Sequence, residues 1–397
     1  MVMKHFEFNL PTIIRAGNGE FRKTGTYLRG LIEGTRIFIV TDPGIEQTGF
    51  VKQAIRMLEQ QGFETRIFNQ VRPNPRDIDC KTGGKSAREF CADAILAIGG
   101  GSVIDAAKAI AIIQCLGGEP QDYAGRDNVP EKVTPIAVVP TTSGTGAEVT
   151  RSSVITDTAK KIKFTIKDVN IAPVLAIVDP ELTYGLPAHL TASTGMDALV
   201  HAIEAYTCKL SNPISDGLAL QAMKHIYPFL RTAVNNGNNQ EARYNLMVGS
   251  TLAGMAFSHA DVASVHCMAE AIGGLYDTPH GVANSMFLPY IVEYNAEAEL
   301  KKHATIARTI GIAHQNDSDQ YATARLVDEM KQLAEDLSIP TFSSLPEVNE
   351  KDFVYLAESS FLNGSTPSNA REITKEDYLE LFKMAYSKEN KGVSPLK

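Results

Sequence analysis

At 397 residues the chain exceeds the usual size of a single hydrophobic core, so two domains are expected. Hydrophobic residues make up 44% and charged residues 21%, a globular balance that excludes a disordered or fibrous chain. The net charge of -8 comes without any basic block, so nothing recruits a nucleic-acid backbone or an anionic membrane surface.

In chain order, Arg36–Thr41, Glu64–Phe68, Ala94–Ile98, Pro135–Val139 and Val174–Val178 read as strands, with helical patterns at Phe50–Gln61 and Val103–Ile113. This alternation implies a parallel sheet covered on both faces, a nucleotide-binding type of architecture. From Thr191 onward helical periodicity prevails. Helices are expected at Thr194–Thr207, Pro213–Thr232, Gln240–Ser258, Ala263–Gly273, Ala296–Ile310, Tyr321–Leu337 and Lys375–Ser387. The boundary falls near Leu186, giving an α/β unit over 1–186 and an all-α unit over 187–397. Five widely spaced cysteines, Cys80, Cys91, Cys115, Cys208 and Cys267, include no Cys-x-x-Cys, which argues against a disulfide framework or thiolate zinc site and for a reducing compartment. Met1 to Leu10 lacks the apolar stretch of a signal peptide, and no run of about 18 apolar residues occurs. A cytoplasmic enzyme is the expectation.

Four constellations carry chemistry. Gly99-Gly100-Gly101-Ser102 closes a strand and opens a helix, where free N–H groups and the helix dipole favour a phosphate; a plain glycine turn with Ser102 as N-cap reads alike. Thr141-Thr142-Ser143-Gly144-Thr145 follows another strand of the same sheet, where ligands of such sheets sit, although a polar capping loop would have the same composition. Asp42 follows Ile39-Val40-Thr41, where a carboxylate can accept from ribose hydroxyls and repel a 2′-phosphate, favouring NAD over NADP. Its alternative is a turn residue before Pro43-Gly44. The strongest set joins Asp197 and His201, four apart on one helix face, with His266 on a second helix and His280 beyond an expected break at Gly273-Gly274. One carboxylate and three imidazoles without a thiolate suit a divalent ion such as Fe(II), Zn(II), Mn(II) or Co(II). His5, His189, His225, His259 and His303 have no partner at ligand spacing and read as structural.

At these residues the sequence resembles the iron-containing (group III) alcohol dehydrogenase family, which includes lactaldehyde reductases and propanediol dehydrogenases. The resemblance runs nearly the whole chain, through Val40-Thr41-Asp42, Pro73-Asn74-Pro75, Gly99 to Asp105, Pro140 to Gly146, Gly195 to Tyr206 and Pro279-His280-Gly281-Val282-Ala283-Asn284. It implies a Rossmann-like first domain that binds the dinucleotide, a helical second domain for metal and substrate, and an active site between them. Carried over by position, the metal ligands are Asp197, His201, His266 and His280, and dinucleotide contacts fall on Asp42, Asn74, Gly100, Gly101, Ser102, Thr141, Thr142, Thr145, Thr150 and Lys163. It further implies NAD(H), a divalent metal (Fe2+, with Zn2+ as the other candidate), a small alcohol or aldehyde as substrate, and a homo-oligomer, dimer or higher. Many members carry a further histidine four residues after the third ligand, where this chain has Glu270. Glu270 is therefore assigned to the catalytic pocket as proton relay, outer partner of the metal or electrostatic filter, with a salt bridge to a neighbouring base as its structural alternative. Two other readings stand beside the dehydrogenase. One is a metal-dependent cyclase or synthase of the dehydroquinate-synthase type, and the other a non-catalytic binding protein on the same fold. The first would need a basic cluster, yet between Asp197 and His280 only Lys209, Lys224, Arg231 and Arg243 are available.

Overall fold

The computed structural model describes residues 5–387. Among the described residues there are nine strands: β1 (Ile13–Ala16), β2 (Arg36–Val40), β3 (Glu64–Phe68), β4 (Ala94–Gly99), β5 (Gly125–Arg126), β6 (Ile136–Pro140), β7 (Ser152–Asp157), β8 (Ile162–Lys167) and β9 (Leu175–Val178). Six of them form one sheet in the order β1-β9-β6-β4-β2-β3, every pair parallel. Strands β4, β6 and β9 are buried at every position, as expected for unbroken apolar runs covered on both faces. Helices α1 (Thr24–Leu31), α2 (Pro43–Gln47), α3 (Phe50–Glu59), α4 (Asp77–Glu89) and α5 (Gly101–Leu116) accompany this sheet.

The order of the strands reverses between β2 and β4, so the loops after their carboxyl ends flank the crevice where such sheets bind ligands. Asp42 stands in the first loop and Gly100-Gly101 in the second. Gly99 pairs with Pro140 across β4 and β6, which brings the hydroxyl-rich loop alongside. A Cβ on Gly101 would stand 2.4 Å from the Thr145 side chain, so only glycine allows the two loops to meet.

A second sheet, β5-β8-β7, was not expected from the sequence. Its main part is an antiparallel hairpin in which Ser152 faces Lys167 and Asp157 faces Ile162. Ile162-Lys-Phe-Thr-Ile-Lys167 alternates as a strand should, but the hydroxyl-rich Ser152–Asp157 carries little apolar signal.

Beyond β9 the chain is helical: α6 (Ala188–Thr207), α7 (Pro213–Asn235), α8 (Gln240–His259), α9 (Ser264–Tyr276), α10 (His280–Asn295), α11 (Leu300–Thr309), α12 (Asp319–Asp336), α13 (Phe353–Phe361) and α14 (Lys375–Tyr386). Helix α6 is buried nearly all round, the mark of a central core helix. The expected break at Gly273-Gly274 does not occur, because α9 runs through both glycines to Tyr276. They serve close packing instead, since a Cβ on Gly274 would lie 3.0 Å from the Lys161 carbonyl at the β7–β8 turn. The helix stops three residues later, at Asp277, whose φ is 59°. Of α10 only Val282–Phe287 read as helical in the sequence, and α13 was not expected; α10 continues through Pro289.

Candidate metal and dinucleotide site

Asp197 and His201 lie one turn apart in the middle of α6, His266 is in the first turn of α9, and His280 opens α10. A Cβ on Gly281 would come within 2.6 Å of the Ser193 carbonyl, so the glycine after His280 lets α10 start directly against α6. The four side chains each offer a ligand atom within 4.8 Å of the others. The Nε2 atoms of His201 and His266 are 3.0 Å apart, and His280 Nε2 is 3.7 Å from Asp197 Oδ1.

The donor set fits a divalent cation on its own geometry. Asn284 Nδ2 sits 2.6 Å from Asp197 Oδ1, 3.2 Å from His266 Nε2 and 3.1 Å from His280 Nε2, so three of the four donor atoms converge on one electropositive group. Among the described residues the buried His201 Nδ1 has no hydrogen-bond partner. Burial lowers the proton affinity of His201 to a pKa of about 4 and of His280 to about 3, which leaves both imidazoles neutral and able to donate a lone pair. Burial also opposes charge on Asp197, but the three surrounding imidazoles and the Asn284 amide outweigh it and hold the carboxylate below its usual range.

Two further residues of this centre were overlooked in the sequence. Glu204, buried on α6, accepts from His266 Nδ1 at 2.6 Å, from Ala263 N at 2.9 Å and from Val265 N at 2.7 Å. It thereby fixes the tautomer that turns His266 Nε2 toward the other donors. Its spacing, three beyond His201 and seven beyond Asp197, puts it on the same helix face and could have revealed it. Asn284, four residues past His280, had the same signal.

A cleft of about 890 Å3 separates the two domains. His201, His266 and His280 line it, as do Glu270, Asn74, Gly101, Ser102, Thr145, Thr150 and Lys163. Asp42, Gly100, Thr141 and Thr142 are not among its lining residues. Asp42 caps α2 by accepting from Ile45 N at 2.9 Å, and Thr141 is buried. Thr150 is held from behind by Lys108, whose Nζ also donates to the carbonyls of Ala147 and Ser152 at 2.8 and 2.7 Å. This lysine, alone among alanines and isoleucines of α5, was a visible signal that went unused. Glu270 makes no ion pair among the described residues, so its salt-bridge alternative falls; Asn363 Nδ2 donates to it at 2.6 Å.

The first domain also grips the segment before His280. Asn74, at φ 51°, donates to Asp277 Oδ1 at 2.8 Å, and Arg76 pairs with Asp277 Oδ2 at 2.8 Å. Lys163 Nζ donates to Asn74 Oδ1 at 2.8 Å.

A parallel-sheet nucleotide domain facing a helical domain that gathers one carboxylate and three imidazoles is the build of a metal-dependent, dinucleotide-linked oxidoreductase. The chain belongs to the iron-containing alcohol dehydrogenase family: the family's iron-containing alcohol dehydrogenase model matches residues 11–180 and its C-terminal model matches residues 191–386. It is 38% identical over 388 residues to the 1,3-propanediol dehydrogenase of Citrobacter freundii, covering 97% of this chain and 100% of the relative. It is 33% identical over 392 residues to the choline dehydrogenase of Bacillus subtilis, covering 97% and 96%. A crystal structure of 1,3-propanediol oxidoreductase superposes with a TM-score of 0.93 at 38% identity, covering 96% of this chain and 100% of that one. The protein is thus an NAD(H)-linked, metal-dependent alcohol dehydrogenase of an iron-containing family, with NAD(H) and a divalent metal as its cofactors. No helix among the described residues is long and apolar enough to cross a membrane.

Proposed function

We propose that Asp197, His201, His266 and His280 hold a single ferrous ion, and that a small alcohol is oxidised, or the aldehyde reduced, in the cleft beside it. The observation that carries this reading is the convergence of one carboxylate and three imidazoles within 4.8 Å. Zinc is the second choice for the same donors. When bound, the ion supplies a Lewis acid that stabilises negative charge developing on the substrate oxygen.

The chain's own residues do the rest. Glu204 keeps the His266 proton on Nδ1, and Phe257, stacked on His201 at 4.4 Å between ring centroids, shields that ring from water. Gly100, Gly101 and Ser102 at the start of α5 hold the pyrophosphate, with Thr141, Thr142, Thr145 and Thr150 shaping the adjoining loop. Asn74 and Lys163 reach the dinucleotide from the hairpin side. The remaining oxygen of Asp42 accepts from the ribose. The nicotinamide, when bound, would supply the hydride acceptor for the alcohol or the hydride donor for the aldehyde.

Division near Leu186, action as a homo-oligomer and residence in the cytoplasm belong to this proposal. The open edge at β1, with Ile13 exposed, and the free buried thiols of Cys80, Cys208 and Cys267 support the last two. A dehydroquinate-synthase-type reaction gains nothing from Arg231, which is engaged with Glu329 and Asp336, or from Arg243, which is buried against Gly237, Thr191 and Leu186, and the relatives matched are alcohol dehydrogenases. A non-catalytic role leaves the four converging donors without a purpose. The test is NADH absorbance on adding short aldehydes to the iron-loaded protein: oxidation that depends on the metal supports the proposal, and none with any short aldehyde overturns it.

A further inference from the structure

The two walls of the cleft differ in charge. Every basic side chain that lines it, Arg126, Lys161, Lys163 and Lys167, comes from the α/β domain, which adds one carboxylate, Asp105, 3.9 Å from Lys108 Nζ, whereas the helical wall contributes Asp261, Glu270 and Glu358 and no lysine or arginine. The phosphates of a dinucleotide account for the basic wall. Nothing in an uncharged alcohol accounts for the acidic one.

The three carboxylates are not equivalent. Asp261 lies 3.5 Å from Lys167 Nζ and accepts from Ser368, and Glu358 pairs with Lys375 at 2.7 Å. Glu270 alone has no ion pair among the described residues; its only hydrogen bond is the one from Asn363. The charge of Lys163 acts on it from beyond ion-pair distance, since the lysine donates to the neutral amide of Asn74 instead. Glu270 follows His266 by one turn of α9, so its carboxylate stands about 6 Å along the helix from the ligand position and on the same face. Tyr355 and Phe257 line the same wall, and their ring faces also favour a cation.

We propose that Glu270 makes this enzyme selective for short alcohols carrying a cationic group, ammonium or quaternary ammonium, two or three carbons from the hydroxyl. The inference rests on the metal-site reading above, which puts the hydroxyl beside His266. The carbinol C–H bond breaks with its electron pair passing as hydride to NAD+, the O–H proton leaves, and the products are the aldehyde, NADH and a proton. The cationic group stays intact and serves only recognition.

The test compares three alcohols of similar length with the iron-loaded enzyme near neutral pH: aminopropanol, its neutral isostere n-butanol, and hydroxypropanoate. The kcat/KM for aminopropanol should exceed that for n-butanol by about tenfold, a modest share of a charge interaction at this depth, and hydroxypropanoate should be the poorest. Trimethylated aminopropanol should also exceed n-butanol. Glu270→Gln should shrink the aminopropanol-to-butanol ratio about fivefold or more, and Glu270→Asp should retain most of it. A wild-type ratio at or below one overturns the inference, as does a ratio unchanged in Glu270→Gln while the variant still binds NADH. Turnover of n-butanol keeps the two levels apart: if n-butanol is oxidised without any preference for the cation, only this inference fails, and if none of the alcohols is oxidised, the metal-site reading fails with it.

Discussion

Replacing Glu204 by glutamine tests whether the protein sets its metal centre through a residue that does not touch the ion. The carboxylate accepts three hydrogen bonds through two oxygens, from His266 Nδ1, Ala263 N and Val265 N at 2.6, 2.9 and 2.7 Å. Glutamine has the same shape but only one acceptor atom, so in either orientation its NH2 group faces at least one N–H donor. The buried donor left unsatisfied costs about 1–3 kcal/mol, and His266 loses the partner that holds its proton on Nδ1. Loss of such an outer contact lowers metal affinity by about 10–100-fold, or about 1.4–2.7 kcal/mol. Titrating the metal-free protein with Co(II), followed by visible absorption, measures that change directly. An affinity within twofold of wild type would refute the role assigned to Glu204.

Other outcomes follow from the same geometry. His201 and His280, held by burial at about 4 and about 3, carry no proton above roughly pH 5. Burial opposes charge on His266, but the hydrogen bond and charge of Glu204, with Asp197, raise it above its usual value. Only His266 then competes with the ion, and affinity falls as pH drops through its raised pKa. Between roughly pH 5 and 6.5 the logarithm of the Co(II) association constant should therefore rise with a slope near one, and a slope of two or three would contradict this. Asp42→Gly should shift the kcat/KM ratio of NADH to NADPH about tenfold toward NADPH by removing a charge that opposes a 2′-phosphate; an unchanged ratio leaves Asp42 with only its α2 cap.

The sheet and the main helices were legible because their signals are local. Unbroken apolar runs gave β4, β6 and β9, and helical periodicity gave α6 through α9 to within a few residues, apart from the earlier start of α6. The cluster of candidate ligands was legible because Asp197 and His201 share a face and His280 stands in a Pro-His-Gly motif. What stayed hidden depends on contacts distant in sequence. The glycines of α9 look like a helix break until the β7–β8 turn is seen against them. Glu204 and Asn284 reveal their roles only when three helices meet, and the clasp of Asn74 and Arg76 on Asp277 spans 203 and 201 residues. The division of charge between the two walls of the cleft depends on domain packing, which no window of sequence encodes.

If one ion held by Asp197, His201, His266 and His280 makes the chain a dehydrogenase, His280→Ala should remove metal and activity together. After anaerobic loading with ferrous iron, metal per chain and NAD+-dependent oxidation of a short alcohol are measured on wild type and variant, with circular dichroism to check the fold. One ion per wild-type chain is expected, with both metal and turnover lost in a folded variant. A His280→Ala protein that kept full metal content and full activity would contradict it.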